Sequence, residues 1–219
     1  MLVKINNKNS QNDIINHAVQ ILRRGGVLVA PTETVYGLCG DATNRKTIKK
    51  IIRIKNRPQN KFFPLVVASL QQLQQYFELN KKEVELVKKY PGLSIVLKPK
   101  IGAQKRDVYL MPGQENCAVR ISTNNLMRSL AKKLARPLVA TSANIAGGKT
   151  CYDVRCVFES FKVPLGAHGN FDASPKGGLK LVYMILDGGV SPKNKPSTIV
   201  RVWGEEIEVL RQGEIEVSN

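Results

Sequence analysis

The chain has 219 residues, of which 42% are apolar, and this length can bury one full core without help from disulfides or metals. Its 34 lysines and arginines against 17 aspartates and glutamates leave a net charge of +17, which indicates contact with nucleic acid or a phosphorylated ligand, a solubility adaptation being the alternative. The longest apolar runs are strand-sized and the N-terminus is too polar for a signal peptide, so the sequence predicts a cytosolic protein with no membrane contact.

Predicted helices and strands alternate in the first part of the chain. A capping box that begins at Ser10 and a stop at Gly25 predict a helix over residues 10–25. The stretch "GVLVAPTETVYGL" predicts a short buried strand that runs into a polar turn, and residues 43–58 predict a second helix that ends before Pro58. The apolar stripes of the two helices are Ile14, Ala18, Ile21 and Leu22, and Ile48, Ile51 and Ile52. The outer face of the second helix is basic.

Strands cluster later in the chain. Strands are predicted for "PLVVA", "LSIVLK", "CAVRIS", "PLVATSA", "VYMIL", "STIVRV" and "EIEVLR". Helices are predicted for "SLQQLQQYF", "KKEVELVKKY", residues 124–135 and residues 153–161, and a long glycine-rich loop for residues 166–180. No repeat or linker divides the chain. We therefore expect one α/β domain over residues 1–219, with a mixed sheet and some helical cover.

The cysteines and histidines give little support to a metal or redox centre. The four cysteines are Cys39, Cys117, Cys151 and Cys156. None of them forms a C-x-x-C pair, so we expect all four to be reduced and mostly buried. His17 and His168 are the only histidines, too few for a histidine-based catalytic or metal site.

Small polar groups and cations gather at the ends of predicted strands, where ligands of open α/β sheets bind. They lie in "PTETVYG", the Lys55, Arg57 and Lys61 group, Arg120 of "CAVR", Ser142 and Asn144 of "TSAN", and Ser197 and Thr198 of "PSTIV". No carboxylate occurs between Asp41 and Glu78. We therefore expect an acid-free cationic pocket that promotes phosphoryl or nucleotidyl transfer by positioning and charge neutralisation. Taken singly, such residues also cap helices or form solvated faces.

A competing pattern is "ANIAGGKT", residues 143–150, which fits a relaxed Walker A motif with alanine in place of the first glycine. In that interpretation Lys149 would hold phosphates, Thr150 would hold Mg²⁺ and Asp187 would end a Walker B strand. A pattern this permissive often arises by chance, and we treat a P-loop as the weaker hypothesis.

The motifs are more specific as an ordered set. "PTETVYGL", K-x-R-P at residues 55–58, "AVR", "SAN", "PST" and "LRQG" occur in this order. Together they resemble the YrdC-like family of threonylcarbamoyl-AMP synthases in its short form, over about residues 10–213. The resemblance implies an open twisted sheet of parallel and antiparallel strands, with helices packed around a deep basic cavity. It also implies synthesis of threonylcarbamoyl-AMP and pyrophosphate from L-threonine, bicarbonate and ATP.

The resemblance also assigns residues. For threonine binding it implies Thr32, Thr34, Arg120, Ser142 and Ser197. For ATP binding it implies Arg57, Lys61, Asn116, Asn144, Tyr152 and Arg211. Lys55 and Arg57 would be catalytic; no protein metal site is expected, and Mg²⁺ would accompany ATP. The sequence departs from the family pattern at Ala68, where members often carry a histidine, and at the lengthened "NKFFPL".

Transfer RNA is the expected downstream partner, reached directly or through a transferase. The outer cations of the second helix, Arg45, Lys46, Lys49, Lys50 and Arg53, would face RNA or solvent. A non-enzymatic RNA-binding relative of the same fold is the main alternative to a synthase.

Overall fold

The computed structural model describes residues 1–5, 11–56, 63–102, 107–110, 112–161 and 181–218. The strands in these ranges are β1 (Leu2–Lys4), β2 (Val27–Pro31), β3 (Tyr36–Asp41), β4 (Leu65–Val67), β5 (Ser94–Leu97), β6 (Cys117–Ile121), β7 (Leu138–Ser142), β8 (Val182–Asp187), β9 (Ile199–Trp203) and β10 (Glu206–Arg211). The helices are α1 (Gln11–Arg23), α2 (Arg45–Lys55), α3 (Leu70–Tyr76), α4 (Lys81–Lys89), α5 (Asn125–Leu134) and α6 (Val154–Ser160). The predictions for Ser10, Arg57, Pro58, Lys61, His168 and the loop 166–180 lie outside the described residues.

All of these strands join one mixed sheet in the order β1-β8-β2-β3-β7-β4-β6-β5-β9-β10. The pairs β1–β8, β8–β2, β4–β6 and β5–β9 are parallel. The other neighbouring pairs are antiparallel. The predicted single-domain α/β fold with a mixed sheet is therefore confirmed, while the domain boundaries at residues 1 and 219 stay a prediction.

Helices cover both faces of the sheet, and β2 shows why its sequence is apolar throughout. Successive strand side chains point to opposite faces. Val27 and Val29 join the core that contains the isoleucines of α2, whereas Leu28 and Ala30 join the core formed with α1 and α5. A strand buried on both faces has no polar alternation. None of the helices in the described ranges is long and apolar enough to cross a membrane.

Helix α2 carries the first predicted catalytic residue at its C-terminal end. Asn44 caps its N-terminus, where Oδ1 accepts the amides of Lys46 at 3.0 Å and Thr47 at 3.4 Å, and Asn56 ends it in the left-handed region at φ 47°. The buried apolar side chains are Ile48, Ile51 and Ile54. Ile52 of the predicted stripe is partly buried and packs against the same core, and Ile54, which was not predicted, adds to the stripe. The same face buries Lys55, of which 2% is exposed.

Two strands were not predicted. Residues 36–41 extend the expected polar turn into strand β3, which pairs with β2 and β7. Two glycines obscure its alternation, and a Cβ at Gly40 would collide with the Thr47 side chain, so glycine lets α2 approach the sheet. Strand β1 has three residues and, among the described strands, pairs only with β8, far along the chain, so no local pattern marks it.

The cysteine prediction is wrong for one pair. Cys151 and Cys156 form a disulfide, because the turn into α6 brings their Cα atoms to 5.2 Å although their spacing fits no standard motif. Cys39 and Cys117 are free and buried, as expected. Burial raises the pKa of each of these two thiols to about 12, so both stay protonated at neutral pH.

Candidate active site

A cavity of about 600 Å³ opens where several strands end. It collects residues predicted from separate motifs: Thr32, Thr34, Arg120, Ser142, Tyr152, Ser197 and Arg211. The pairing of β3 with β7 sets Gly37 opposite Ser142, which puts this serine beside the turn that carries the two threonines. The sheet topology therefore brings together side chains that lie far apart in sequence, and this cavity is the candidate active site.

The turn between β2 and β3 is held by the hydroxyl of Thr32. Its Oγ1 donates to the carbonyl of Val35 at 2.7 Å and accepts the amides of Thr34 and Val35, each at 3.2 Å. The Oγ1 atoms of Thr32 and Thr34 lie 3.2 Å apart. Because Thr32 donates its hydrogen to Val35, Thr34 is the donor in the contact between the two hydroxyls, which leaves the Thr34 oxygen able to accept a hydrogen bond from a ligand.

Among the described residues that line the cavity there is no Asp or Glu, as expected, but Glu33 lies outside this lining, against Arg120. The Nε atom of Arg120 donates to Glu33 Oε1 at 2.7 Å, and the Ser122 hydroxyl donates to Glu33 Oε2 at 3.0 Å. Burial alone would raise the pKa of Glu33, but attraction to Arg120, together with hydrogen bonds from Arg120, Ser122 and the backbone, lowers the pKa below its usual value. Glu33 is therefore a carboxylate at neutral pH, in a buried ion pair.

Arg120 keeps one end of its guanidinium for the cavity. Its side chain is 6% exposed and lines the cavity wall. Within the described part of the chain, its Nη atoms make no hydrogen bond, and neither Nη atom is completely buried. Two parallel N–H groups are therefore presented to the cavity, which is the geometry that binds a carboxylate.

Ser197 is oriented by two donors. Ser94, which is 1% exposed, donates to Ser197 Oγ at 3.0 Å, and Arg211 Nη2 donates to the same oxygen at 3.1 Å and to the Ser197 carbonyl at 2.6 Å. Since the oxygen accepts both bonds, the hydroxyl hydrogen of Ser197 is left for a ligand. Burial first, and the positive charge of Arg120 second, lower the pKa of Arg211. The two arginines are close enough to repel, so an anion between them would be stabilised.

Lys55 lies behind Ser142 and not on the cavity wall. Its Nζ donates to the carbonyl oxygens of Ser142 at 2.6 Å and Asn144 at 3.0 Å, and it lies 3.0 Å from Asn144 Oδ1. Ser142 Oγ donates to Asn144 Oδ1 at 2.7 Å, and Asn144 Nδ2 donates to the Gly148 carbonyl at 2.7 Å. Through these hydrogen bonds Lys55 holds the "SAN" segment against α2.

A second cavity of about 680 Å³ shares Ala118, Ile199 and Arg211 with the first. Asn116, predicted for ATP, lines this second cavity and not the first. Arg211 therefore stands between the two spaces. Arg57 and Lys61, the other cations predicted for ATP, lie outside the described residues.

The Sua5/YciO/YrdC family model, described as "Telomere recombination", matches residues 20–213. The chain belongs to this family. It is 31% identical over 204 residues to the threonylcarbamoyl-AMP synthases of two strains of Vibrio vulnificus, YJ016 and CMCP6, and the match covers 91% of this chain and 98% of each relative. The resemblance drawn from the ordered motifs is confirmed.

Solved structures of the Sua5/YciO/YrdC family superpose on this chain. P. abyssi Sua5 complexed with L-threonine matches with a TM-score of 0.77 and 25% identity, over 97% of this chain and 57% of that one. E. coli YciO matches with a TM-score of 0.76 and 25% identity, over 97% of this chain and 95% of that one. The chain thus spans little more than half of Sua5 and nearly all of YciO.

The P-loop hypothesis is not favoured for this member of the family. Lys149 is exposed and no helix follows it until Val154, whereas a Walker A lysine lies at the start of a helix. Strands β2 and β3 separate β7, which precedes the pattern, from β8, which ends in Asp187. Asp187 Oδ1 accepts the amide of Gly189 at 3.0 Å and closes a turn.

Sequence reasoning missed several members of the site. Glu33 stands inside the quoted "PTETVYG", but nothing local indicates its distant partner Arg120. Ser122, Ser94 and Asn194 were also missed; Asn194 lines the cavity and donates to the Glu33 carbonyl at 3.1 Å. The sequence signal that could have identified Glu33 is that it is the one carboxylate in "PTETVYG", whose other polar side chains are hydroxyls.

Proposed function

We propose that this chain is an L-threonylcarbamoyladenylate synthase, which condenses L-threonine, bicarbonate and ATP to threonylcarbamoyl-AMP and pyrophosphate. The observation that carries the proposal is that the residues predicted to bind L-threonine all line one cavity, in a chain that belongs to the Sua5/YciO/YrdC family. The names of the Vibrio relatives and the L-threonine bound to the related Sua5 support the same reaction. No comparison favours a non-enzymatic RNA-binding relative.

Threonine would bind in the first cavity with its carboxylate on the Nη atoms of Arg120. The hydroxyls of Thr34, Ser142 and Ser197 line the same wall and supply short polar contacts for the substrate amine and hydroxyl. A site that hydrogen-bonds a substrate hydroxyl can reject valine strongly, because valine would leave buried polar groups unpaired. Serine, which lacks only the methyl group, would be discriminated against by about 1 to 3 kcal/mol.

ATP would occupy the second cavity, with Asn116 at its wall and Arg211 between the nucleotide and threonine. We further propose that Arg57 and Lys61 hold the triphosphate, that Tyr152 contacts the nucleotide from the first cavity, and that Mg²⁺ arrives on the phosphate oxygens. Asn144, also predicted for ATP, lines neither cavity, and its side chain bonds to Lys55, Ser142 and Gly148. In the described residues no group of three or more His, Cys, Asp or Glu side chains could hold a metal ion.

The chemistry requires two anions to approach each other. The amine of threonine attacks bicarbonate, water leaves, and the resulting carbamate is an anion. A carbamate oxygen then attacks the α-phosphorus of ATP, and the bond from that phosphorus to the bridging oxygen of pyrophosphate breaks. Arg120 and Arg211 converge on the space where these charges meet, so they would offset the repulsion and stabilise the leaving group. We place this reaction in the cytosol, where ATP and tRNA occur.

The test is a reconstitution with purified protein, ATP, L-threonine and bicarbonate. We expect pyrophosphate release that requires both L-threonine and bicarbonate, together with a new adenylate detected by mass spectrometry. Omission of either substrate should reduce release to background. Orthophosphate release without threonine would contradict the proposal and support an NTPase.

We also propose that tRNA contacts the outer face of α2 directly. Arg45, Lys46 and Lys49 are exposed there, and α2 contains no acidic residue. Lys50, which was predicted to face RNA or solvent, is excluded from this group because its ammonium donates to the Gly25 carbonyl at 2.8 Å and lies over the Tyr183 ring. Replacing Arg45, Lys46 and Lys49, three of the four exposed cations of α2, by glutamine should flatten the salt dependence of tRNA binding by about 2 to 3 units in log–log slope, since each phosphate contact contributes about 0.9.

The matched control removes the same charge from α4. Its helix carries exposed Lys81, Lys88 and Lys89, interspersed with two glutamates, and these are likewise replaced by glutamine. Salt titrations of tRNA affinity should show a reduced slope only for the α2 variant, with adenylate synthesis unchanged in both. Equal slopes in the two variants would contradict the proposal and would mean that the exposed cations of α2 contact solvent and not tRNA.

A further inference from the structure

The buried ion pair between Glu33 and Arg120 determines which end of the guanidinium reaches the cavity. A guanidinium can bind a carboxylate along its Nε edge or across its two Nη atoms. Glu33 Oε1 accepts Nε at 2.7 Å, so the Nε edge is occupied by the protein itself. The Nη end remains for a ligand, and Arg120 lines the cavity.

Glu33 is itself held rigidly by three parts of the fold. Ser122, which is 1% exposed, donates to Oε2 at 3.0 Å and accepts the amide of Asn124 at 3.2 Å, so its single hydrogen is directed to Glu33. Asn194 donates to the Glu33 carbonyl at 3.1 Å, and the Thr32 hydroxyl holds the turn that carries Glu33. Both carboxylate oxygens are therefore engaged, and the charge has no freedom to approach the substrate.

We propose that Glu33 is a positioning residue that sets the orientation of Arg120 for recognition of the substrate α-carboxylate. This assignment deepens the proposed function and rests on it. Glu33 is not among the residues that line the cavity, and its negative charge beside Arg120 would by itself repel an anionic substrate. The orientation it gives to Arg120 offsets that repulsion, because a bidentate contact needs both Nη hydrogens aligned with the ligand.

A proton-transfer role fits the geometry less well. The Glu33 side chain is 16% exposed and both oxygens accept hydrogen bonds from the protein. A general base must lie within hydrogen-bond reach of the amine that it deprotonates. Glu33 acts through Arg120, so its loss should weaken threonine binding and leave the chemical step at saturating threonine nearly unchanged.

The experiment compares L-threonine with L-threoninol, in which a hydroxymethyl group replaces the carboxylate. Dissociation constants for both ligands are measured by calorimetry on the wild type, Glu33→Ala, Glu33→Gln and Ser122→Ala. Glu33→Ala should weaken threonine binding about tenfold to thirtyfold, the effect of losing one charge-assisted hydrogen bond, and change threoninol binding less than about twofold. Glu33→Gln keeps an oxygen that can accept Nε, so it should recover threonine binding to within about threefold of the wild type.

Kinetics and stability complete the test. In the synthase assay, Glu33→Ala should raise KM for threonine with kcat within about twofold, and Ser122→Ala should raise KM by about two- to threefold. Should Glu33→Ala unfold, the glutamine and Ser122→Ala variants still carry the test through the threonine-to-threoninol ratio. Equal loss of both ligands, unchanged threonine binding, or a lower kcat at unchanged KM would each overturn the assignment. A wild type that binds no threonine would overturn the proposed function as well, and is thus distinguishable from failure of the assignment alone.

Discussion

Replacement of Lys55 by methionine should lower threonylcarbamoyl-AMP synthesis at least about 100-fold, which corresponds to about 2.7 kcal/mol of lost transition-state stabilisation. The ammonium of Lys55 contacts the Ser142 and Asn144 carbonyls and the Asn144 side chain. Methionine has similar length but no donor, so these buried oxygens would lose a partner and the "SAN" segment would move away from α2. Ser142, which lines the cavity, would then be misplaced. Steady-state pyrophosphate release measures the effect.

The matched control is Lys149→Met, which replaces the exposed lysine of the Walker-like pattern. This variant should keep most of the activity, because Lys149 lies outside the cavity lining. Thermal unfolding of both variants separates loss of the site from loss of the fold, and we expect Lys55→Met to lose about 1 to 3 kcal/mol through unsatisfied buried groups. An inactive Lys149→Met beside an active Lys55→Met would contradict the site assignment and restore the P-loop hypothesis.

Replacement of Arg120 by lysine should raise the KM for threonine about 30- to 100-fold while the protein stays folded. A lysine keeps the positive charge beside Glu33, which avoids leaving a buried carboxylate unpaired. It is a single point charge, however, and cannot contact Glu33 while presenting two parallel N–H groups to the substrate. Threonine saturation curves at fixed ATP measure the change.

Arg155→Lys is the matched control for this substitution. Arg155 is 75% exposed in an i,i+4 pair with Glu159, where an arginine-to-lysine change should alter neither KM nor stability measurably. The threonine site assigned to Arg120 would be wrong if Arg120→Lys had a wild-type KM for threonine and instead raised the KM for ATP.

Where local pattern carried the information, prediction and structure agree. The 3.6-residue spacing of α1 and α2, and the apolar run of β2, specify these elements from their own residues, so their positions could be predicted. The hydroxyls and arginines of the motifs were likewise identified from type and order, and Thr34, Arg120, Ser142, Ser197 and Arg211 all line one cavity.

What the tertiary structure alone decided depends on partners far apart in the chain. Strand β1 forms because it pairs with β8, and strand β3 forms because it pairs with β2 on one side and β7 on the other. Lys55 stands 87 residues from Ser142, and Glu33 stands 87 residues from Arg120. Local sequence indicates that these side chains are charged, but a charge becomes buried, paired and oriented only where the packed sheet excludes water around it. The free end of Arg120 and the role of Glu33 are therefore properties of the fold and not of either motif.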